Sequence, residues 1–287
     1  FEVLQESYLK LKDNRHELLI GRHNINSPLL NSNPMTLLKD SYEAYQYRYV
    51  VNAKLFLSIA NIYKTRLNNS ETFSKSTPNG SFENIYFLGI EDQSSLTFKS
   101  KFYYYYAKDL YNSWFIQADK YFHTNAYKYL VGALYKKTSK NHDSLNYTGT
   151  YQDSLIQGIR VGMKYEEYTF TISAENSSQG NSEIAYGGNT YSYTNSLLEK
   201  FENSRKPKKI SLKFRHIIDH KFGKLISKIL FKKVYQNRYQ AYNGLYLSLN
   251  YKTKSEGSLH IEYEELKALL EKKESNRIIR AIYNIKI

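Results

Sequence analysis

Lysine and arginine recur on the polar side of segments in which every second residue is apolar, and this spacing is the feature of the sequence with chemical potential. Arg48, Lys99, Lys101, Arg160, Lys164, Lys209, Lys213, Arg215, Lys252, Arg280 and Lys286 stand there, against fewer carboxylates, Glu91, Glu166, Glu175 and Glu262. If the apolar sides face lipid, these residues line a water-filled passage. A ladder of fixed positive charge lowers the barrier for anions and raises it for cations. Taken singly, each residue reads also as a solvated cation near a turn or as the partner of a nearby carboxylate.

The elements that must position such a ladder are β-strands. Ile159, Val161, Met163 and Tyr165 alternate with Gly158, Arg160, Gly162 and Lys164; Ile210, Leu212, Phe214 and Ile218 alternate with Lys209, Ser211, Lys213 and Arg215. The same rhythm runs through Leu96–Tyr104, Leu245–Tyr251 and the final segment from Ile279 to Ile287. Counting gives about 14 or 15 strands of roughly 9 to 13 residues, the length a tilted strand needs to cross hydrocarbon. Soluble sheets use shorter strands, about 5 to 6 residues, and need helices or a second sheet over the apolar side. The expected fold is therefore all-β, a transmembrane antiparallel up-and-down β-barrel of about 14–18 strands, as one domain over 1–287. Two segments break the rhythm. SLLEKFENSRK at 196–206 reads as a helical turn in a loop, and YEELKALLEKK from Tyr263 reads equally as helix or as strand extension, leaving 263–273 open.

Composition agrees with a membrane-facing sheet. The 287 residues hold 30 Tyr and 14 Phe but one Trp, with a mean hydropathy of -0.63, which is far too aromatic for a disordered chain. Aromatic rings crowd the strand ends, as in FYYYYA from Phe102, where they suit the headgroup level of a bilayer. Short connections (108–112, 221–224) contrast with long polar ones (68–84, 140–153, 176–207), as at the two ends of an outer-membrane barrel. The formal charge of +14 suits nucleic acid, anionic lipid or anionic solutes. No run approaches the ~18 apolar residues of a spanning helix, and FEVLQESYLK has neither the basic nor the apolar region of a signal peptide. It begins as a strand under way, so N-terminal strands are expected to be missing.

The absence of cysteine excludes disulfides, thiolate metal sites and cysteine nucleophiles. HExxH, GxSxG, Walker A and GxGxxG motifs are absent. His216 and His220 sit along a strand, where i and i+4 are ~13 Å apart, too far to share a metal. No enzyme activity, metal or cofactor is expected.

The stretch GRHNINSPLLNSNPMTLLKDSYEAYQYRY, Gly21 to Tyr49, resembles the OprD-like outer-membrane porins and their relatives in the epsilonproteobacterial/Helicobacter outer-membrane protein family. There a strand ending in Gly-Arg leads into a loop bearing Pro and Leu. The resemblance implies that Asn26–Lys39 (26–39) is a constriction loop folded into the lumen and that Arg22 is a pore-wall residue at its base. It implies 18 strands, an integral position in the bacterial outer membrane as a monomer or trimer, and passive diffusion of small anionic or polar solutes. Two other classes compete with a porin. One is an outer-membrane adhesin or structural surface barrel with long polar loops; the other is a soluble basic β protein stacking nucleic-acid bases on its aromatics.

Overall fold

Strings of Tyr, Phe, Ile, Val and Thr at every second position favour extended backbone, because branched and aromatic side chains pack well on a pleated, half-covered surface. The computed structural model describes residues 6–30, 41–66, 84–108, 111–140, 153–178, 194, 208–236, 240–253, 257–268 and 276–284. Every regular element in these residues is a strand. They are β1 (Ser7–Lys12), β2 (His16–His23), β3 (Ser41–Asn52), β4 (Leu55–Arg66), β5 (Ile85–Asp92), β6 (Phe98–Ala107), β7 (Tyr111–His123) and β8 (Tyr127–Lys140). There follow β9 (Ser154–Tyr165), β10 (Tyr168–Ser177), β11 (Lys208–His220), β12 (Gly223–Gln236), β13 (Gln240–Thr253), β14 (Ser258–Ala268) and β15 (Asn276–Asn284). They form one 15-stranded sheet in chain order, each strand hydrogen-bonded to its sequence neighbour. This is an up-and-down antiparallel architecture.

The ambiguous segment from Tyr263 is strand as far as Ala268, where Tyr263 pairs with Leu247 and Ile279. Period two wins over the helical leucine spacing because β13 and β15 flank it on both sides with matching faces. The segment at 196–206, residues 269–273 and 285–287 lie outside the described residues.

The connections are coded locally. Those following odd-numbered strands are short, such as 13–15, 53–54, 166–167 and 221–222, and antiparallel order puts them at one end of the strands. At 13–15, Asp13 Oδ1 accepts the backbone N–H groups of Arg15 and His16, each at 2.7 Å. Those bonds hold the Asp13 carboxyl below the usual carboxylate range. Asn52 Oδ1 accepts from Lys54 and Leu55 in the same way. Glu166 sits in the two-residue turn with φ of 46°, so this carboxylate belongs to a turn rather than to the polar ladder. The long connections, among them 24–40, 67–84 and 178–207, fall at the opposite end.

The residues gather into two compact units. One comprises Phe1–Asp119 with 134–157 and 178–192, the other 120–133, 158–177 and 193–287. In the second unit the register aligns Phe170, Phe214, Ile229, Leu247, Tyr263 and Ile279 in one row across β10–β15. One residue along, the opposite face carries Thr169, Arg215, Lys228, Ser248, Glu262 and Arg280. A register slip of one residue would exchange these two rows, so side-chain chemistry and turn geometry fix the same pairing.

Burial is inverted relative to a water-soluble sheet. Ile279 is 78% exposed and Ile159 64%, whereas Lys209, Lys232, Glu262 and Glu264 are buried. Among the described residues no helix is long and apolar enough to cross a membrane; if this chain crosses one, strands do it.

Candidate functional site

The polar face holds the candidate chemistry. In the first unit one row reads Glu17, Arg48, Ser58, Gly89 and Tyr103, and the next holds Phe56, Glu91 and Lys101. All of these except Gly89, together with Leu19, Gln46, Asn24 and Asn26, line a cleft of about 360 Å³. Lys101 Nζ lies 2.9 Å from Glu91 Oε2, and Tyr103 donates its hydroxyl hydrogen to Glu91 Oε1 at 2.6 Å. Arg48 lies over the Phe56 ring at 4.1 Å from its centroid, a cation–π contact that holds the guanidinium in place. Guanidinium and amide donors thus share one water-accessible space with the Glu17 and Glu91 carboxylates, Lys101 and Tyr103 being engaged by Glu91, a mixed lining that suits a polar solute.

The cleft depends on a missing side chain. A Cβ on Gly89 would overlap the Tyr103 ring and fall 2.7 Å from Ser58 Oγ. Gly89→Ala is expected to push Tyr103 off Glu91 and lower unfolding stability by about 1–2 kcal/mol, since a hydrogen bond to a charged group contributes ~1.5–3 kcal/mol. Tyr103→Phe should cost a similar amount, with the double variant costing little more than either. Strict additivity in denaturant titrations of the four proteins would show that the glycine acts elsewhere.

The start of the expected constriction loop approaches the same face. Ser27 and Leu30 close a turn through a backbone bond of 2.9 Å; Ile25, Leu29 and Leu30 are buried, and Leu29 N–H donates to the Tyr105 hydroxyl at 3.3 Å. Tyr105 belongs to the polar face of β6, in line with Gln46, Ala60 and Phe87. Residues 31–39 of that loop lie outside the described ones.

In the second unit Lys213 and Arg215 of β11 meet Lys228 of β12, with Arg160 of β9 also close enough to repel Lys213. Among the described residues, Lys213, Arg215 and Lys228 form no ion pair, and Arg215 Nε has no hydrogen-bond acceptor. Other expected ladder members are neutralised. Arg280 donates to Glu262 through Nε at 3.0 Å and through Nη2, and Glu262 also accepts from Tyr246 at 2.8 Å, with His260 Nε2 at 3.0 Å. Lys209 is buried opposite Glu175, which accepts from Thr194 at 2.8 Å. Lys252 stands near the short-turn end opposite Lys224, and Lys164 precedes the turn after β9. Lys99 lies at the start of β6, one pleat from Lys101. Lys286 lies outside the described residues.

Arg22 is the exception. It alternates with Gly21 and His23, and His23 turns to Gln46 on the polar face, so Arg22 projects from the other side with Leu18 and Ile20. The pore-wall position expected for it is therefore corrected: its Nε donates to Glu43 Oε1 at 2.8 Å on the apolar face.

Lys228 was not among the expected cations. Its neighbours in β12 alternate Lys with Ile and Leu on one face, which hides the polar side in the pattern. The tight connection 221–222 was the available signal, because counting back from it pairs Lys228 with Arg215.

Two-faced strands, inverted burial and cation-bearing polar rows in one antiparallel up-and-down sheet are the architecture of porin β-barrels. Comparison with solved structures agrees. The chain is similar to Acinetobacter baumannii OccAB4 (16% identity, 96% of this chain and 72% of that chain, TM-score 0.76). It is likewise similar to Pseudomonas aeruginosa OccD3, also called OpdP (13%, 98% and 76%, 0.77), and to P. aeruginosa OpdK with vanillate (12%, 96% and 78%, 0.77). At these identities the likeness establishes the fold. No protein-family model and no curated protein matches the sequence.

Proposed function

We propose that the protein is an integral outer-membrane porin of the OprD-like type, passing small polar or anionic solutes by passive diffusion through a lumen formed by the polar faces. The observation that carries this reading is the inverted burial: strands present their apolar side chains outward and keep lysine, arginine and glutamate on the covered side. Contiguous apolar surface of this extent needs hydrocarbon against it. The lumen lining then includes Arg48 and Lys101 in the first unit and Arg160, Lys213, Arg215 and Lys228 in the second. Residues 26–30 begin the constriction expected over 26–39, a reading supported by the burial of Leu29 and Leu30 beside Tyr105. Vanillate, which accompanies OpdK, is a small aromatic carboxylate, and in this cleft Arg48 is the group that would meet such a solute. The Gly21–Tyr49 resemblance supports a place among the epsilonproteobacterial/Helicobacter relatives. The role is non-enzymatic, with one pore per chain whether the assembly is a monomer or a trimer.

Recording of the refolded precursor in a planar bilayer across a salt gradient tests this. Stepwise conductance with a reversal potential on the anion side is the expected result. Insertion without conductance would refute the porin and favour an adhesive or structural barrel.

A further inference from the structure

The apolar face of the first unit carries a charged row where hydrocarbon-facing strands ordinarily avoid one. Glu43 of β3 accepts from Arg22 of β2 at 2.8 Å and lies 3.0 Å from Lys64 Nζ of β4. A register irregularity makes the row: pairing jumps from Ala44↔Ile62 to Glu43↔Lys64, and the extra residue, Tyr63, also turns outward to meet Tyr45 with ring centroids 5.5 Å apart. All three charges stand at the long-connection end of their strands. The Glu43 side chain is 10% exposed, but those of Arg22 and Lys64 keep 38% and 40%, so a covered carboxylate fixes two accessible cations.

Below the row, one pleat or ~7 Å along β3, an apolar groove of about 400 Å³ begins at Tyr45. Tyr45, Asn61, Tyr86 and Tyr106 occupy its upper level, and Leu18, Tyr47, Ile59, Leu88 and Tyr104 the lower. The order of cations, then a phenol-bearing level, then a level where leucine and isoleucine join the tyrosines matches the depth profile of one acylated, phosphate-bearing lipid. We propose that Arg22, Lys64 and this groove form a docking site for the phosphorylated headgroup and acyl chain of an outer-leaflet lipid. The assignment rests on the membrane-spanning reading above, with long connections outside the cell. Arg277 of β15 supplies an internal comparison: it too is exposed at the long-connection end of the apolar face and pairs with Glu265 at 2.9 Å.

The test is native mass spectrometry of the full chain in detergent, titrated with bis-phosphorylated lipid A and with its dephosphorylated form. The wild type should prefer the phosphorylated lipid by about tenfold, the scale of a charge-assisted hydrogen bond. Arg22→Gln with Lys64→Gln should abolish the preference, and Arg277→Gln should leave it. Lys64→Gln alone, should the double variant fail to refold, is expected to lower it about threefold. Equal binding of the two lipids by the wild type, an unchanged preference in the variants, or displacement by millimolar inorganic phosphate would each overturn the site. Conductance without lipid preference sinks this proposal alone; lipid preference without conductance sinks the porin and leaves the site standing.

Discussion

Leu247→Arg is expected to destabilise the protein in lipid vesicles by about 2–4 kcal/mol, the cost of a cation on the lipid face near the bilayer midplane. Leu247 lies mid-strand in β13, 37% exposed, between Ile229 and Tyr263 in the apolar row that spans β10–β15. The sign discriminates because surface substitutions in water-soluble proteins usually change stability by less than ~0.5 kcal/mol, and arginine in place of an exposed leucine would improve solubility. A soluble, nucleic-acid-binding sheet therefore predicts no loss. Urea unfolding of both proteins from vesicles of one composition measures the difference. A change within about 0.5 kcal/mol would remove Leu247 from hydrocarbon and with it the barrel orientation assigned to the faces.

Strand identity was legible because period two repeats with the same two chemistries on segment after segment. Ile210, Leu212 and Phe214 against Lys209, Ser211 and Lys213 leave one way to lie on a sheet with lipid on one side, and the structure keeps that division. Exact ends were less legible. Leu96 shares the alternation of β6 but falls in a turn, because Ser95 Oγ accepts the backbone N–H groups of Thr97 and Phe98 and ends the ladder before them. The stretch from Tyr263 contains leucines at both helical and strand spacing, and only its neighbours in the sheet decide between them. Local propensity is silent on that.

The site was legible as a set and not as pairs. Alternation says which side Lys101, Lys213 and Arg280 occupy; whether each is neutralised depends on what stands across the register. Arg280 meets Glu262 and Lys101 meets Glu91, whereas Arg215 meets Lys228. Those pairings follow from turn lengths that one-residue errors would invert. Arg22 shows the converse: the family resemblance implied a pore-wall role, but strand parity assigns it to the tyrosine-bearing side. Gly89 and Phe56 carry no charge and so gave no signal, although one admits Tyr103 and the other holds Arg48.

Replacing Lys213, Arg215 and Lys228 together by glutamine is expected to lower the anion-to-cation permeability ratio about tenfold without loss of stability. A unit charge at ~4 Å contributes about 1 kcal/mol even in bulk water, or about fivefold in the occupancy of a passing ion. Three cations sharing one stretch of wall do not act independently, so the combined factor falls short of the product. The absence of a stability penalty follows from the same geometry. No carboxylate among the described residues forms an ion pair with these side chains; Glu262 attracts Lys228 only at a distance, while the three cations repel one another and Lys213 also repels Arg160. Their removal relieves strain, where cations held for structural reasons would leave partners stranded. Arg280→Gln is the counterpart on the same face: it strips Glu262 of two hydrogen bonds and should lower stability while barely moving selectivity. Reversal potentials in a salt gradient and urea midpoints, measured on both variants, separate the two roles. A triple variant that unfolds more easily yet keeps its anion preference would assign the cluster to the architecture of the wall and move the selectivity filter to the Arg48–Lys101 cleft.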